Sequence, residues 1–154
     1  MPAAQNLIDL LRAKGLTCAT AESCTGGGVG TAITAVPGSS DVFLGGIISY
    51  ANYMKEKVLG VREETLRKKG AVSAECAAEM AEGARRLTGA DIAVSITGIA
   101  GPKGGSTEKP VGLVWFGLAT HDGVRTEKVL FPGDRATVRE QSVIHALGML
   151  TGAA

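Results

Sequence analysis

The chain has 154 residues, 45% of them apolar and 20% charged, with a formal net charge of +1. That is the composition of one ordinary globular domain, long enough to bury roughly two-thirds of its unfolded surface. Near-neutral charge and 4% aromatics give neither the basic footprint of a nucleic-acid binder or anionic-membrane protein nor the stacking platforms bases require. The three cysteines (Cys18, Cys24, Cys76) and two histidines (His121, His145) stand in no CxxC or Cys/His spacing, so no structural metal site is expected. An odd cysteine count without a secretory signal predicts a reducing, cytoplasmic setting. No apolar run approaches the ~20 residues of a membrane span. Glycine, at 22 residues, is about twice its average share, and clusters at 26–30, at 98–105 and more thinly at 45–46, the pattern of tight backbone turns.

In chain order, Ala3 to Ala13 reads as an amphipathic helix with Leu7, Leu10 and Leu11 on one face, stopped by Lys14-Gly15. Leu16 to Ala21 predicts a short strand. Val29 to Val36 is helical and ends at Pro37-Gly38-Ser39-Ser40. Val42 to Tyr50 reads as a buried strand whose end carries Ser49 and Tyr50. Asn52 is placed to cap a short helix to Leu59, closed by Gly60, and a second short helix runs from Glu63 to Lys69. Ser73 opens an alanine-rich helix to Leu87. Ile92 to Ile96 is a buried strand ending in Thr97-Gly98, and 99–106 is a glycine loop. Val111 to Ala119 and Val124 to Phe131 make a hairpin around His121-Asp122-Gly123. A helix from about Asp134 to Leu150 completes the order α-β-α-β-α-α-α-β-β-β-α. The alternation predicts one α/β domain over 1–154, a three-layer α/β/α sandwich with a mixed, mostly parallel sheet. Sites in such sheets form beyond the carboxyl ends of strands. Three polar, glycine-bearing strand ends, 20–28, 49–55 and 95–105, are therefore the segments expected to meet.

The stretch Ala19-Thr20-Ala21-Glu22-Ser23-Cys24-Thr25-Gly26-Gly27-Gly28 runs from a strand end into a helix start, where backbone amides and the helix dipole favour negative charge. Ser23 and Cys24 are both candidate nucleophiles there. A serine needs a base, and a helix start would lower the Cys24 thiol pKa. His121 lies in a hairpin turn and His145 within the last helix, so both read as structural or solvent-facing. The base candidates are then Lys55, Lys57 and Glu22. Lysine serves when burial lowers its pKa, as in Ser–Lys variants of the catalytic triad. On residue type alone, however, Met54-Lys55-Glu56-Lys57 is a solvated helix face, and Glu22 a carboxylate bonded to nearby backbone. Neither glycine cluster has the P-loop or dinucleotide spacing, and Gly-x-Ser-x-Gly is absent. Arg135 and Arg139, one turn apart, form either a phosphate grip or two surface arginines. Spacing alone leaves a small-anion or nucleotide pocket with an undecided nucleophile.

Longer words are more specific. Thr20-Ala21-Glu22-Ser23-Cys24-Thr25-Gly26-Gly27, Pro37-Gly38-Ser39-Ser40, Ser49-Tyr50-Ala51-Asn52-x-x-Lys55 and Gly70-Ala71-Val72-Ser73 stand in order. They are followed by Ser95-Ile96-Thr97-Gly98-Ile99-Ala100-Gly101-Pro102-x-Gly104-Gly105, Lys109-Pro110-Val111-Gly112-x-Val114-Trp115 and Gly133-Asp134-Arg135. The set resembles the CinA C-terminal domain family, the nicotinamide-nucleotide amidohydrolases, over nearly the whole chain. The resemblance implies hydrolysis of the carboxamide of nicotinamide mononucleotide without metal or other cofactor. It implies a Ser–Lys arrangement on Ser23 and Lys55, with Tyr50 close to both. It also implies a homodimer, and a chain carrying the amidohydrolase domain without the N-terminal domain, similar to molybdopterin-binding proteins, that larger members add. On that basis the backbone of Thr25, Gly26 and Gly27 is expected to stabilise an oxyanion, and Asn52, Thr97, Gly98, Gly101 and Gly105 to contact the nucleotide. Arg135 or Arg139 is expected near its phosphate. A non-catalytic nucleotide-binding module and an amidase for another small carboxamide are the alternatives.

Overall fold

A computed structural model describes residues 2–154. Helix α1 (Pro2–Lys14) buries Ala4, Leu7, Ile8 and Leu11, the i, i+3, i+4, i+7 stripe of an amphipathic helix. Strand β1 (Cys18–Glu22) is buried throughout, and α2 (Gly28–Thr34) follows it after a turn. Next come β2 (Phe43–Ile48), α3 (Asn52–Leu59) and α4 (Glu63–Lys68). Helix α5 (Ala74–Thr88) starts where the Ser73 hydroxyl accepts from the Cys76 amide at 3.1 Å and stops at left-handed Gly89. Strands β3 (Ile92–Gly98), β4 (Leu113–Thr120) and β5 (Gly123–Leu130) precede α6 (Arg135–Ala153), whose first turn is capped by the Asp134 carboxylate.

The sheet order is β2-β1-β3-β4-β5, with β1 parallel to both neighbours and the β3–β4 and β4–β5 pairs antiparallel. Only β4 therefore runs against the other strands, and the mixed, mostly parallel sandwich expected from the sequence is the observed architecture. One face is covered by α1, α2 and α6, whose Leu7, Ile33 and Leu147 pack with Val94 and Phe116. The other is covered by α3 and α5 through Leu59, Cys76, Met80 and Ala84. β1 is the first strand laid down, with β2 on one side and β3 on the other, so the strand order reverses there. Glu22 is level with Ile48 of β2 and Ile96 of β3, which brings three strand ends to one crevice at the switch point.

Two expectations from the sequence need correction. β2 is an edge strand, not a buried one: it pairs with β1 alone and leaves Leu44 and Ile48 about half exposed. Asn52 is not the cap of α3 but its first residue. Ala51 holds the extended cap position, and its carbonyl accepts from the Met54 and Lys55 amides. No helix among the described residues is long and apolar enough to cross a membrane.

Candidate active site

The crevice is built on the turn between β1 and α2. Gly26 and Gly27 both take positive φ (58° and 99°), a conformation glycine adopts without penalty, so the chain folds back within three residues. Glu22 locks this turn. Its buried carboxylate accepts from the Thr25 hydroxyl at 2.6 Å, from the Val29 amide at 2.9 Å and from the Gly30 amide at 3.0 Å. The negative charge thus sits on the first turn of α2, where amides lack partners within the helix. Glu22 is therefore the backbone-bonded carboxylate of the bland alternative, and its oxygens are spent on the turn.

With the turn fixed, Ser23 faces the next strand end. The Lys55 Nζ lies 3.0 Å from Ser23 Oγ, 2.9 Å from the Ser49 carbonyl and 3.0 Å from the Tyr50 carbonyl. Lys55 is only 1% exposed and Ser23 8%, which overturns the solvated helix face read from local sequence. No carboxylate pairs with the amine among the described residues, and burial pushes the Lys55 pKa below the ordinary lysine value. The opposing influences are the Cys76 and Cys24 thiols. Burial itself raises both of these to about 11, so at neutral pH neither is an anion able to hold a proton on Lys55. As an ammonium Lys55 donates to all three oxygens. Once deprotonated, it keeps two hydrogens for the carbonyls and can turn its lone pair to the Ser23 hydroxyl.

Cys24 is corrected in the same way: burial wins over the helix start, and its thiol is raised rather than lowered. Tyr50 also takes a different part from the one expected. Its carbonyl, not its ring, meets Lys55. The residue is 61% exposed, with its hydroxyl 3.3 Å from Arg135 Nη2.

Above the pair lies a cavity of about 280 Å³ lined by Ser23, Cys24, Tyr50, Asn52, Lys55, Ala71, Val72, Thr97, Gly98, Ile99, Ala100, Gly101, Lys103, Gly104 and Arg135. Asn52, Thr97, Gly98, Gly101 and Arg135 are thus brought together on its wall. Thr25, Gly26, Gly27, Gly105 and Arg139 are not on its wall. The Gly26 amide donates to the Ser23 carbonyl at 3.0 Å and is not free for an oxyanion. Gly105 packs on the backbone of Val111, where a side chain would not fit. Arg139 grips the turn from behind, its Nε 3.1 Å from the Cys24 carbonyl and its Nη2 3.3 Å from the Thr25 carbonyl. Arg135 instead reaches the cavity, with Nη1 2.8 Å from the Gly101 carbonyl.

Sequence reasoning missed Ala71 and Val72, which give the cavity an apolar wall, and Lys103 at its mouth. Gly70-Ala71-Val72-Ser73 was the only signal for the first two. His145 lies outside the cavity, tilted on Phe116 with its Nε2 3.1 Å from Glu127 Oε1, and His121 is a solvent-facing turn residue. Lys57 is on the surface, bonded to the Tyr53 hydroxyl.

The family model for the CinA C-terminal domain matches residues 1–153. A CinA-like protein of Thermotoga maritima is 51% identical over 141 residues, covering 92% of this chain and 34% of that protein. A putative competence-damage inducible protein of Halothermothrix orenii is 58% identical over 127 residues, 82% of this chain and 31% of that protein. The chain thus spans about a third of the length of the curated relatives it matches. Among solved structures, the competence/damage inducible protein of Agrobacterium tumefaciens superposes with a TM-score of 0.96 at 42% identity, over 98% of this chain and 93% of that one. The competence damage-inducible protein A of Klebsiella pneumoniae does so with 0.95 at 37%, over 98% and 94%.

Proposed function

Because the chain belongs to the CinA C-terminal domain family and buries a Ser23–Lys55 pair at the switch point of its sheet, we propose that it is an amidohydrolase. Its proposed reaction converts the carboxamide of nicotinamide mononucleotide to the carboxylate, with release of ammonia. The observation that carries this reading is Lys55, a buried amine with two carbonyls, a serine hydroxyl and no counter-charge around it.

In the first half-reaction the Lys55 lone pair takes the Ser23 proton as Oγ attacks the carboxamide carbon. Charge moves to the carbonyl oxygen, and the Cys24 amide, next to the nucleophile and without another residue to donate to among the described residues, is placed to receive it. One such donor is typically worth about 3 kcal/mol of transition-state stabilisation. The carbon–nitrogen bond then breaks, and the Lys55 ammonium returns its proton to the departing nitrogen as ammonia forms. In the second half, Lys55 deprotonates a water that attacks the Ser23 ester, releasing the carboxylate and restoring the hydroxyl. The apolar wall of Ala71, Val72, Ile99 and Ala100 suits a flat aromatic ring, and Asn52 and Arg135 offer polar contacts at the rim.

The test is ammonia release from a panel that includes nicotinamide mononucleotide and free nicotinamide, for the native protein, Ser23→Ala and Lys55→Met. Removing either member should cost about a thousandfold or more in kcat. Full activity in Ser23→Ala would remove the nucleophile, and hydrolysis of a different carboxamide alone would keep the chemistry but not the substrate. Ligand binding with no turnover of any carboxamide would leave a binding module.

A further inference from the structure

The cavity differs from the rest of the molecule in charge. The chain carries 15 acidic and 16 basic side chains, yet among the fifteen lining residues there is no Asp or Glu, while Lys55, Lys103 and Arg135 are all present. Lys55 is buried at the floor with its amine engaged, so the accessible charges are Lys103 and Arg135. Arg135 is oriented, with one nitrogen on the Gly101 carbonyl and another toward the Tyr50 hydroxyl. Lys103 is an exposed side chain with no ion-pair partner among the described residues.

Its backbone, in contrast, is held. Gly101 and Gly104 on either side of it take φ of +82° and +95°, and a side chain on Gly101 would collide with Val111. A lysine with a fixed origin, a free ammonium and a neighbouring guanidinium at the mouth of an acid-free cavity creates a positive local field.

We propose that Lys103 is a specificity-determining residue that reads negative charge on the substrate, so that this site takes a phosphomonoester in preference to its unphosphorylated counterpart. The inference rests on the amidohydrolase reading for its reaction but not for its charge preference. A pyridinium nucleotide presents a cationic ring and a phosphate of nearly two negative charges. The corresponding riboside presents the cation alone and is repelled by the same two residues.

The experiment compares native protein, Lys103→Ala and Lys103→Arg on nicotinamide mononucleotide and nicotinamide riboside, with the Kd of each compound measured calorimetrically in parallel. For Lys103→Ala the expected result is a KM and Kd for the mononucleotide raised about five- to tenfold, as for loss of one partly exposed charge-assisted contact. kcat should be unchanged, and riboside binding should stay the same or tighten slightly as one repelling charge is lost. Lys103→Arg should restore mononucleotide affinity, and added salt should weaken the native protein more than Lys103→Ala. Equal changes for both compounds would show that Lys103 shapes the loop instead, and no change for either would show that it reads nothing; each overturns the proposal. If the native protein turns over neither compound, the amidohydrolase reading fails, and the calorimetric comparison alone decides the charge preference.

Discussion

Lys55 meets Ser23 at 3.0 Å from 32 residues downstream, and no carboxylate forms an ion pair with it among the described residues. A charged ammonium with that degree of burial would be costly without a carboxylate. Burial accordingly lowers its pKa, and the neutral amine avoids that cost while still donating to the Ser49 and Tyr50 carbonyls. Structure and base catalysis therefore ask for the same protonation state.

That state has a consequence for stability. Burial holds the folded Lys55 pKa below the unfolded lysine value, so between the two the unfolded chain binds one more proton than the folded one. Stability conferred by Lys55 then rises with pH in that window and is lost as pH falls through the folded pKa. Native protein should gain on Lys55→Met in urea unfolding as pH increases toward 10, by up to about 1.4 kcal/mol per pH unit. A difference between the two proteins that does not vary with pH would mean that Lys55 is charged when folded.

Cys24 adjoins the nucleophile, but its thiol is pushed up to about 11 by burial. Cys24→Ala should keep kcat within about threefold, since only the backbone amide is used, and alkylation by iodoacetamide at pH 7.5 should be slow. Loss of ammonia release in Cys24→Ala as complete as in Ser23→Ala would assign the chemistry to sulfur.

The two arginines of α6 should separate kinetically. Arg139 holds the carbonyls of Cys24 and Thr25, so Arg139→Ala should lower kcat by about tenfold with little change in KM, and Arg139→Lys should not rescue it because a lysine lacks the fork. Arg135→Ala should act mainly on KM. A rise in KM alone for Arg139→Ala would return that residue to the substrate.

Gly83 offers a test of how α3, and with it Lys55, is held. Helix propensity favours Ala over Gly by about 1 kcal/mol. Here, however, a β-carbon would run into the Leu59 carbonyl at the end of α3, which Arg86 already holds at 3.2 Å. The collision is with backbone and cannot be relieved by a rotamer, so Gly83→Ala should destabilise by about 2 kcal/mol and lower kcat. A raised Tm would show that the two helices are free to part.

What could be read in advance follows from how local each signal is. Ser73 before a run of alanines and Gly89 after it bracket α5 without reference to anything distant, and α5 stands within a residue of its expected span. The exposure of β2 is not local: Val42-Phe43-Leu44-Gly45-Gly46-Ile47-Ile48 looks the same in the middle of a sheet as on its edge. Lys55 shows the limit most clearly. Its neighbours Glu56 and Lys57 are those of a solvated helix, and only the packing of α3 against α5, with the ends of β1 and β2 closing over its amine, puts that amine in the dark. Family resemblance singled out the residue; the fold supplies the reason.

The central claim is that a neutral Lys55 activates Ser23, and the pH dependence of kcat/KM for ammonia release from nicotinamide mononucleotide tests it most directly. The account predicts that activity falls with acid along a single limb whose midpoint lies below the ordinary lysine pKa, as Lys55 becomes protonated. It also predicts that Lys55→Met reduces the rate at every pH by about a thousandfold or more. A limb that survives in Lys55→Met at a comparable rate, or a native rate still rising as a lysine of ordinary pKa would titrate, would contradict it.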